Sequence, residues 1–277
     1  MEPMTAERAR ARLAQRMQEA LDDTPDGAGP PTIEPRSSLS RDDALTKDLT
    51  ASELVWIGIS AAREHLHAAA RIWHSHEHGI TMPTAYGTLL RTAAIGAANA
   101  YWILAPAKRD ERVGRAFALA EENYRRAGEM ASESLETAAT MEIADSATLE
   151  REREKAARWE ERRVHARDQR MARGVQDRYA ATRVVKWAGG QLLTEDPSGG
   201  GQYALVWRFT SGDAHALTWQ RIMRGGSSGA LASAPRGPDG TIHFRDTQSE
   251  QDLLMLVELA MLTNRHAIVL YERRRRA

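Results

Sequence analysis

At 277 residues, with 42% hydrophobic side chains, the chain can bury a core of its own, as one large domain or two small ones. The absence of cysteine excludes disulfides and thiolate metal sites, and with them the secreted disulfide-scaffold class. Lysine plus arginine and aspartate plus glutamate each total 38, so no global field draws the chain to nucleic acid or membrane, and charge steering is confined to two basic stretches, Glu150–Lys186 and Arg273–Arg276.

The first residues alternate Glu and Arg with Ala and predict a short helix without the apolar centre of a secretory signal. Residues 22–48 mix Pro, Gly, Ser and acidic residues without apolar periodicity, a composition that does not offset its own ordering entropy and predicts a flexible linker. Residues 1–48 are therefore expected to be an N-terminal helix and linker, and 49–277 a single helical-bundle domain. Thr50 and Glu53 have capping-box spacing, followed by Leu54, Ile57, Ala61, Ala62, Leu66, Ala69 and Trp73 at helical intervals. Pro83 suits the first turn of a second helix with an Ala-rich face, stopped by Pro106.

A third helix is expected over about 109–130, and a long, highly charged arm or hairpin over about 146–186, with a narrow apolar stripe at Trp159, Val164, Met171, Val175 and Tyr179. Residues 192–201 read as a loop on their Pro, Ser and Gly content, and 202–223 as a helix. One small β-hairpin is expected around Gly237–Gly240, and Thr247 with Glu250 forms a second capping box before a helix over 253–271. The class expected is all-α, a multi-helix bundle. The longest apolar stretch, Thr92–Ala107, contains Asn99 and falls short of the roughly 20 residues of a membrane span, so no transmembrane helix, no membrane partner and a cytoplasmic location are expected.

Among polar clusters, His65, His67, His74, His76 and His78 crowd one helix end, and His74 and His78 have the i, i+4 spacing of a metal pair. No Glu follows His74 as a metalloprotease helix requires, and histidines near a helix C-terminus also serve its dipole, so no metal or other cofactor is expected. No G-x-S-x-G elbow and no phosphate-cradling glycine loop occurs.

The segment Tyr203–His215 is different. At about 100° per residue, the seven steps from Arg208 to His215 return to within about 20° of the same helix face, with Ser211 between them along the axis. A guanidinium able to stabilise charge on phosphorus, beside an imidazole able to move protons near neutral pH, is the minimum set for cleaving RNA through its own 2′-hydroxyl. Arg91, in the Ala-rich helix, must be paired or line a cavity, because a buried lone charge is too costly. Arg109, Arg112 and Arg115 recur every three residues and could line an anion site beside it.

The stretches Thr88–Ile95 with Tyr101–Pro106, Arg109–Arg115 and Tyr203–His215 resemble a group of uncharacterised helical bacterial proteins similar to abortive-infection proteins of the HEPN superfamily. The resemblance runs in order through about residues 50–270. It implies a homodimer that binds or cuts RNA without metal, in phage defence or as a toxin, and leaves a cyclic phosphate end. Arg208 and His215 would be catalytic, with Tyr203, Ser211, Arg91 and Arg112 in binding. Phe209 stands after Arg208 where a polar residue is usual in that family, and Ile95 replaces a frequent acidic residue. The rival expectation is a non-catalytic helical interaction or structural protein in which Arg208, Ser211 and His215 form a buried hydrogen-bond network.

Overall fold

Side-chain caps written into the sequence set four of the helix starts. The computed structural model describes residues 5–23, 29–75, 83–140, 145–193, 199–215 and 250–277. Thr5 Oγ1 accepts from Arg8 N to open α1 (Ala6–Asp22), and Ser37 Oγ accepts from Ser40 N to open α2 (Ser38–Asp43). The capping box before α3 (Ala51–His74) forms as its spacing predicts: Thr50 N donates to Glu53 Oε2 at 2.9 Å, and Glu53 N donates to Thr50 Oγ1 at 3.2 Å. Pro83, which has no N–H to leave unpaired, begins α4 (Pro83–Leu104), and Asp145 caps α6 (Ser146–Ala172) through Thr148 N. The others are α5 (Arg109–Thr140), α7 (Ala181–Leu192), α8 (Gly199–Ala214) and α9 (Glu250–Arg275). All nine are α-helices and no strand occurs among the described residues, so the fold is all-α. The expected hairpin, Trp219, His76, His78 and Thr247 lie outside the described residues.

The chain divides into two compact units. The first comprises Met1–Gly29, Ile57–Tyr101 and Ala181–Val269. In it α1 buries Ala9, Leu13, Met17 and Ala20, one stripe at three- and four-residue steps, while Arg16 and Glu19 on its edge pair with Glu258 and Arg265 of α9. The stripe carries the stability, because such partly exposed ion pairs contribute only about 0–1 kcal/mol.

α3 and α4 meet at glycines. A Cβ on Gly58 would lie 2.6 Å from the carbonyl oxygen of Gly96, and a Cβ on Gly96 would lie 2.7 Å from that of Gly58. The obstacle on both sides is backbone, which cannot swing aside. Gly96→Ala is therefore expected to cost about 1–3 kcal/mol, measured by urea unfolding, although alanine is the better helix former; an unchanged or raised midpoint would contradict this contact.

Gly199–Gly201, expected in a loop, instead form the first turn of α8. The reason is the same: a Cβ on Gly200 would lie 2.6 Å from Lys186 O of α7, and one on Gly189 would lie 2.9 Å from the Tyr203 side chain. Gly189 and Gly200 are a helix-crossing surface, which composition alone does not distinguish from a flexible loop.

The second unit comprises Pro30–Trp56, Trp102–Ala180 and Leu270–Ala277. Here the linker expectation is corrected. Leu39 and Asp42 of α2 are buried, Thr46 Oγ1 accepts from Ala51 N at 2.9 Å, and Glu34 N donates to Arg275 O at 2.8 Å. What periodicity misses is that one short helix, buried at Leu39 and Asp42, and a polar network order residues 29–48.

α5 runs ten residues further than the sequence suggests, to Thr140, and pairs antiparallel with α6 through Tyr124 on Trp159, Phe117 on His165, and the ion pair Glu121–Arg170 at 2.8 Å. The charged stretch is thus a hairpin with α5; only Ala166 and Arg170 of α6 are buried. α9, the helix expected over 253–271, is long and apolar enough to cross a membrane by length and composition, which the reading of apolar stretches does not mark, and 56% of its apolar window is buried inside the protein.

Tyr86 and Tyr271 are buried, and their hydroxyls have no hydrogen-bond partner among the described residues. Burial pushes each phenol from 10.0 up to about 12. The unfolded chain releases these protons near pH 10 while the folded chain holds them, so stability is intact below that value and falls as pH rises towards 12. Unfolding midpoints followed across that window are expected to drop, and the drop is expected to be shallower in Tyr86→Phe. Equal slopes in both proteins would contradict it.

Candidate functional site on α8

α8 is seated by one face and exposed on the other. Tyr203, Ala204, Trp207 and Thr210 are buried, at the spacing of a helix stripe, and Thr210 Oγ1 donates back to Trp207 O at 2.8 Å. Arg208 and His215 point away from that stripe and are exposed, while Ser211 is half-buried beside them. His215 lies just past the last turn, its N–H donating to Ser211 O and Gly212 O, both at 3.3 Å. The helix on which the shared face was expected ends at Ala214, one residue short of His215, and Arg208 and His215, both exposed, do not form the buried network of the rival expectation.

The α4 arginine comes to the same helix. Arg91, half-buried, places its guanidinium carbon 3.9 Å from the Trp207 ring centroid and donates through Nη1 to Trp207 O at 3.2 Å. Trp207 Nε1 returns a bond to Arg91 O at 3.3 Å. A cation over an indole face, reinforced by two hydrogen bonds, fixes the turn that carries Arg208. Sequence reasoning required a partner for Arg91 but had no means of choosing Trp207, 116 residues away.

Two of the expected binding residues stand elsewhere. Tyr203 is wholly buried against Gly189 of α7 and belongs to the packed side of α8; burial and not a partner charge raises its phenol. Arg112 belongs to the second unit and is 3% exposed. Its Nε and Nη2 clamp Asp42 at 2.7 and 3.0 Å, Nη2 also meets Ser38 Oγ at 2.9 Å, and Nη1 donates to Pro106 O and Ala107 O. All five N–H donors are used, which leaves none for a bound anion. Of its neighbours, Arg109 is 3.7 Å from Asp42, and Arg115 donates to Trp102 O and Glu111. The every-third-residue arginines therefore serve Asp42, Glu111 and the carbonyls in and after the last turn of α4, and do not line the expected anion site.

Of the histidine group, His65 Nδ1 lies 2.8 Å from Ala61 O, His67 is half-buried and His74 is exposed. No metal-ligating cluster occurs among the described residues. No protein-family model, curated protein or solved structure matches the chain. The fold and the site define an all-α protein whose α8, packed by tyrosine and tryptophan, presents an arginine to solvent and is followed directly by an exposed histidine.

Proposed function

We propose that the chain is a HEPN-like RNA-binding protein and metal-independent endoribonuclease, working as a homodimer in the cytoplasm, in phage defence or as a toxin. The observation that supports this reading is that Arg208, on the exposed side of α8, and His215, in the turn just past its end, are the two groups such chemistry requires and are both exposed, while the opposite side of the helix is packed. Arg208 binds the scissile phosphate and stabilises its transition-state charge; His215 exchanges the proton of the 2′-hydroxyl or of the leaving oxygen. Ser211 supplies a hydroxyl between them, since Phe209 directly after Arg208 has none to offer. Arg91 acts at one remove, by holding Trp207.

The test is incubation of the full chain with mixed-sequence RNA in the presence of chelator. Cleavage by the wild type with a loss of roughly 10²-fold or more in Arg208→Ala is the expected result. RNA left intact by the wild type across substrates would remove the enzyme reading.

A second reading, a non-catalytic helical interaction protein, is favoured by Leu205, which is 57% exposed one turn before Arg208. Under it, Leu205→Asp disrupts self-association or partner capture while RNA is untouched by any variant.

A further inference from the structure

The second unit contains a cleft that lies apart from every motif discussed so far. It has a volume of about 370 Å³ and is bounded by α5, α6 and the segment Ala44–Leu49 that follows α2. Clefts of this size hold small organic ligands. Its apolar wall is Phe117 and Ala120 of α5 with Ala166 of α6, all buried, and Tyr124 flanks them, stacked on Trp159. Lys47, His165 and Arg173 bring cationic or donor groups to the same space, and Asp48 is the lining carboxylate.

Arg173 is fixed in place by the turn that ends α6. Gly174 follows it at φ +76°, in the left-handed region that favours glycine, and Val175 N donates back to Arg170 O at 3.3 Å. Beneath the turn the buried Arg170 donates to Glu121, Val175 O and Gln176 O at 2.8, 2.6 and 2.7 Å. Val175 rests on Gly114 of α5, where a Cβ would come within 2.6 Å of its methyl.

The Arg173 side chain is held as well. Nη1 donates to Gln169 O at 2.9 Å and Gln169 Oε1 at 2.6 Å, and the guanidinium carbon sits 5.2 Å from the Phe117 ring centroid. Its buried Nε has no hydrogen-bond partner, and the guanidinium makes no ion pair among the described residues. Contrast the neighbouring Arg170, whose charge is met by Glu121. A positioned, uncompensated guanidinium at the edge of an aromatic-walled cleft matches a flat ligand with an anionic end.

We propose that this cleft binds a small planar aromatic molecule carrying one anionic group, carboxylate or phosphate. The anion meets Arg173 and Lys47, and the ring lies against Phe117 and Tyr124. Asp48 at the rim sets an upper limit on ligand charge by repelling polyanions. This site is independent of the α8 reading, because no residue of α8 lines it.

The test is calorimetric titration of the full chain with four probes: benzoate, phenyl phosphate, benzyl alcohol and inorganic phosphate. Either or both aromatic anions are expected to bind with one-to-one stoichiometry, the stronger of the two naming the anion, while benzyl alcohol and phosphate alone bind roughly tenfold more weakly or not at all. Arg173→Gln is expected to weaken aromatic-anion binding by roughly tenfold or more. Lys47→Gln, at an exposed position that leaves the fold untouched, is expected to weaken it less. Absence of binding by both aromatic anions, or equal binding by the wild type and both variants, would overturn the proposal.

Discussion

Replacing Arg112 with alanine is expected to lower the unfolding free energy by about 3–5 kcal/mol, among the larger losses available to a single substitution in this chain. The reason lies in what the change leaves behind. Asp42 is 1% exposed, and without Arg112 its carboxylate loses both of that guanidinium's hydrogen bonds and keeps the half-exposed Arg109 at 3.7 Å and the more distant charge of Arg274. Ala107 O and Ser38 lose a donor too, while Pro106 O keeps the Nη2 of Arg274 at 2.9 Å. An ion pair of this kind adds little over a well-packed apolar pair, but breaking one half strands a buried charge. The double variant Arg112→Met/Asp42→Leu is therefore expected to recover much of the loss. Urea unfolding of the two proteins checks both statements, and a loss of less than about 1 kcal/mol in Arg112→Ala would show that the network is inert.

The sequence carries the class of this fold because its helix signals are local. The Thr50–Glu53 box, Pro83 and the Ala-rich face of α4 act within a few residues, and each forms where its spacing puts it, while in α3 the stripe holds at Leu54, Ala62, Leu66 and Ala69 and fails at the exposed Ile57. What escapes is non-local. Asp42 sits in a segment whose composition reads as linker, and its partner Arg112 lies 70 residues on. Gly199–Gly201 read as a loop until Lys186 O is seen where a Cβ would be. The site divides along the same line. The exposure of Arg208 follows from its place off the Tyr203, Trp207 and Thr210 stripe, whereas the end of α8 before His215, the burial of Tyr203 and the clasp between Arg91 and Trp207 depend on which helices touch. The cleft beside Arg173 has no motif, since its lining comes from three separate stretches of chain.

His215→Ala is the second large effect, and it concerns rate and not stability. The imidazole is exposed just beyond α8, so its removal is expected to change the unfolding free energy by no more than about 0.5 kcal/mol. If it moves the proton in RNA cleavage, the same change costs roughly 10²- to 10⁴-fold in rate. A fold that is intact with an activity that is gone cannot be produced by a side chain that only packs. The decisive measurement is therefore the rate of cleavage of mixed-sequence RNA, with chelator present, by wild type and His215→Ala at matched thermal midpoints. The account predicts chelator-resistant cleavage by the wild type and a loss of at least roughly 10²-fold in the variant; equal rates in the two proteins, or cleavage that chelator abolishes, would contradict it.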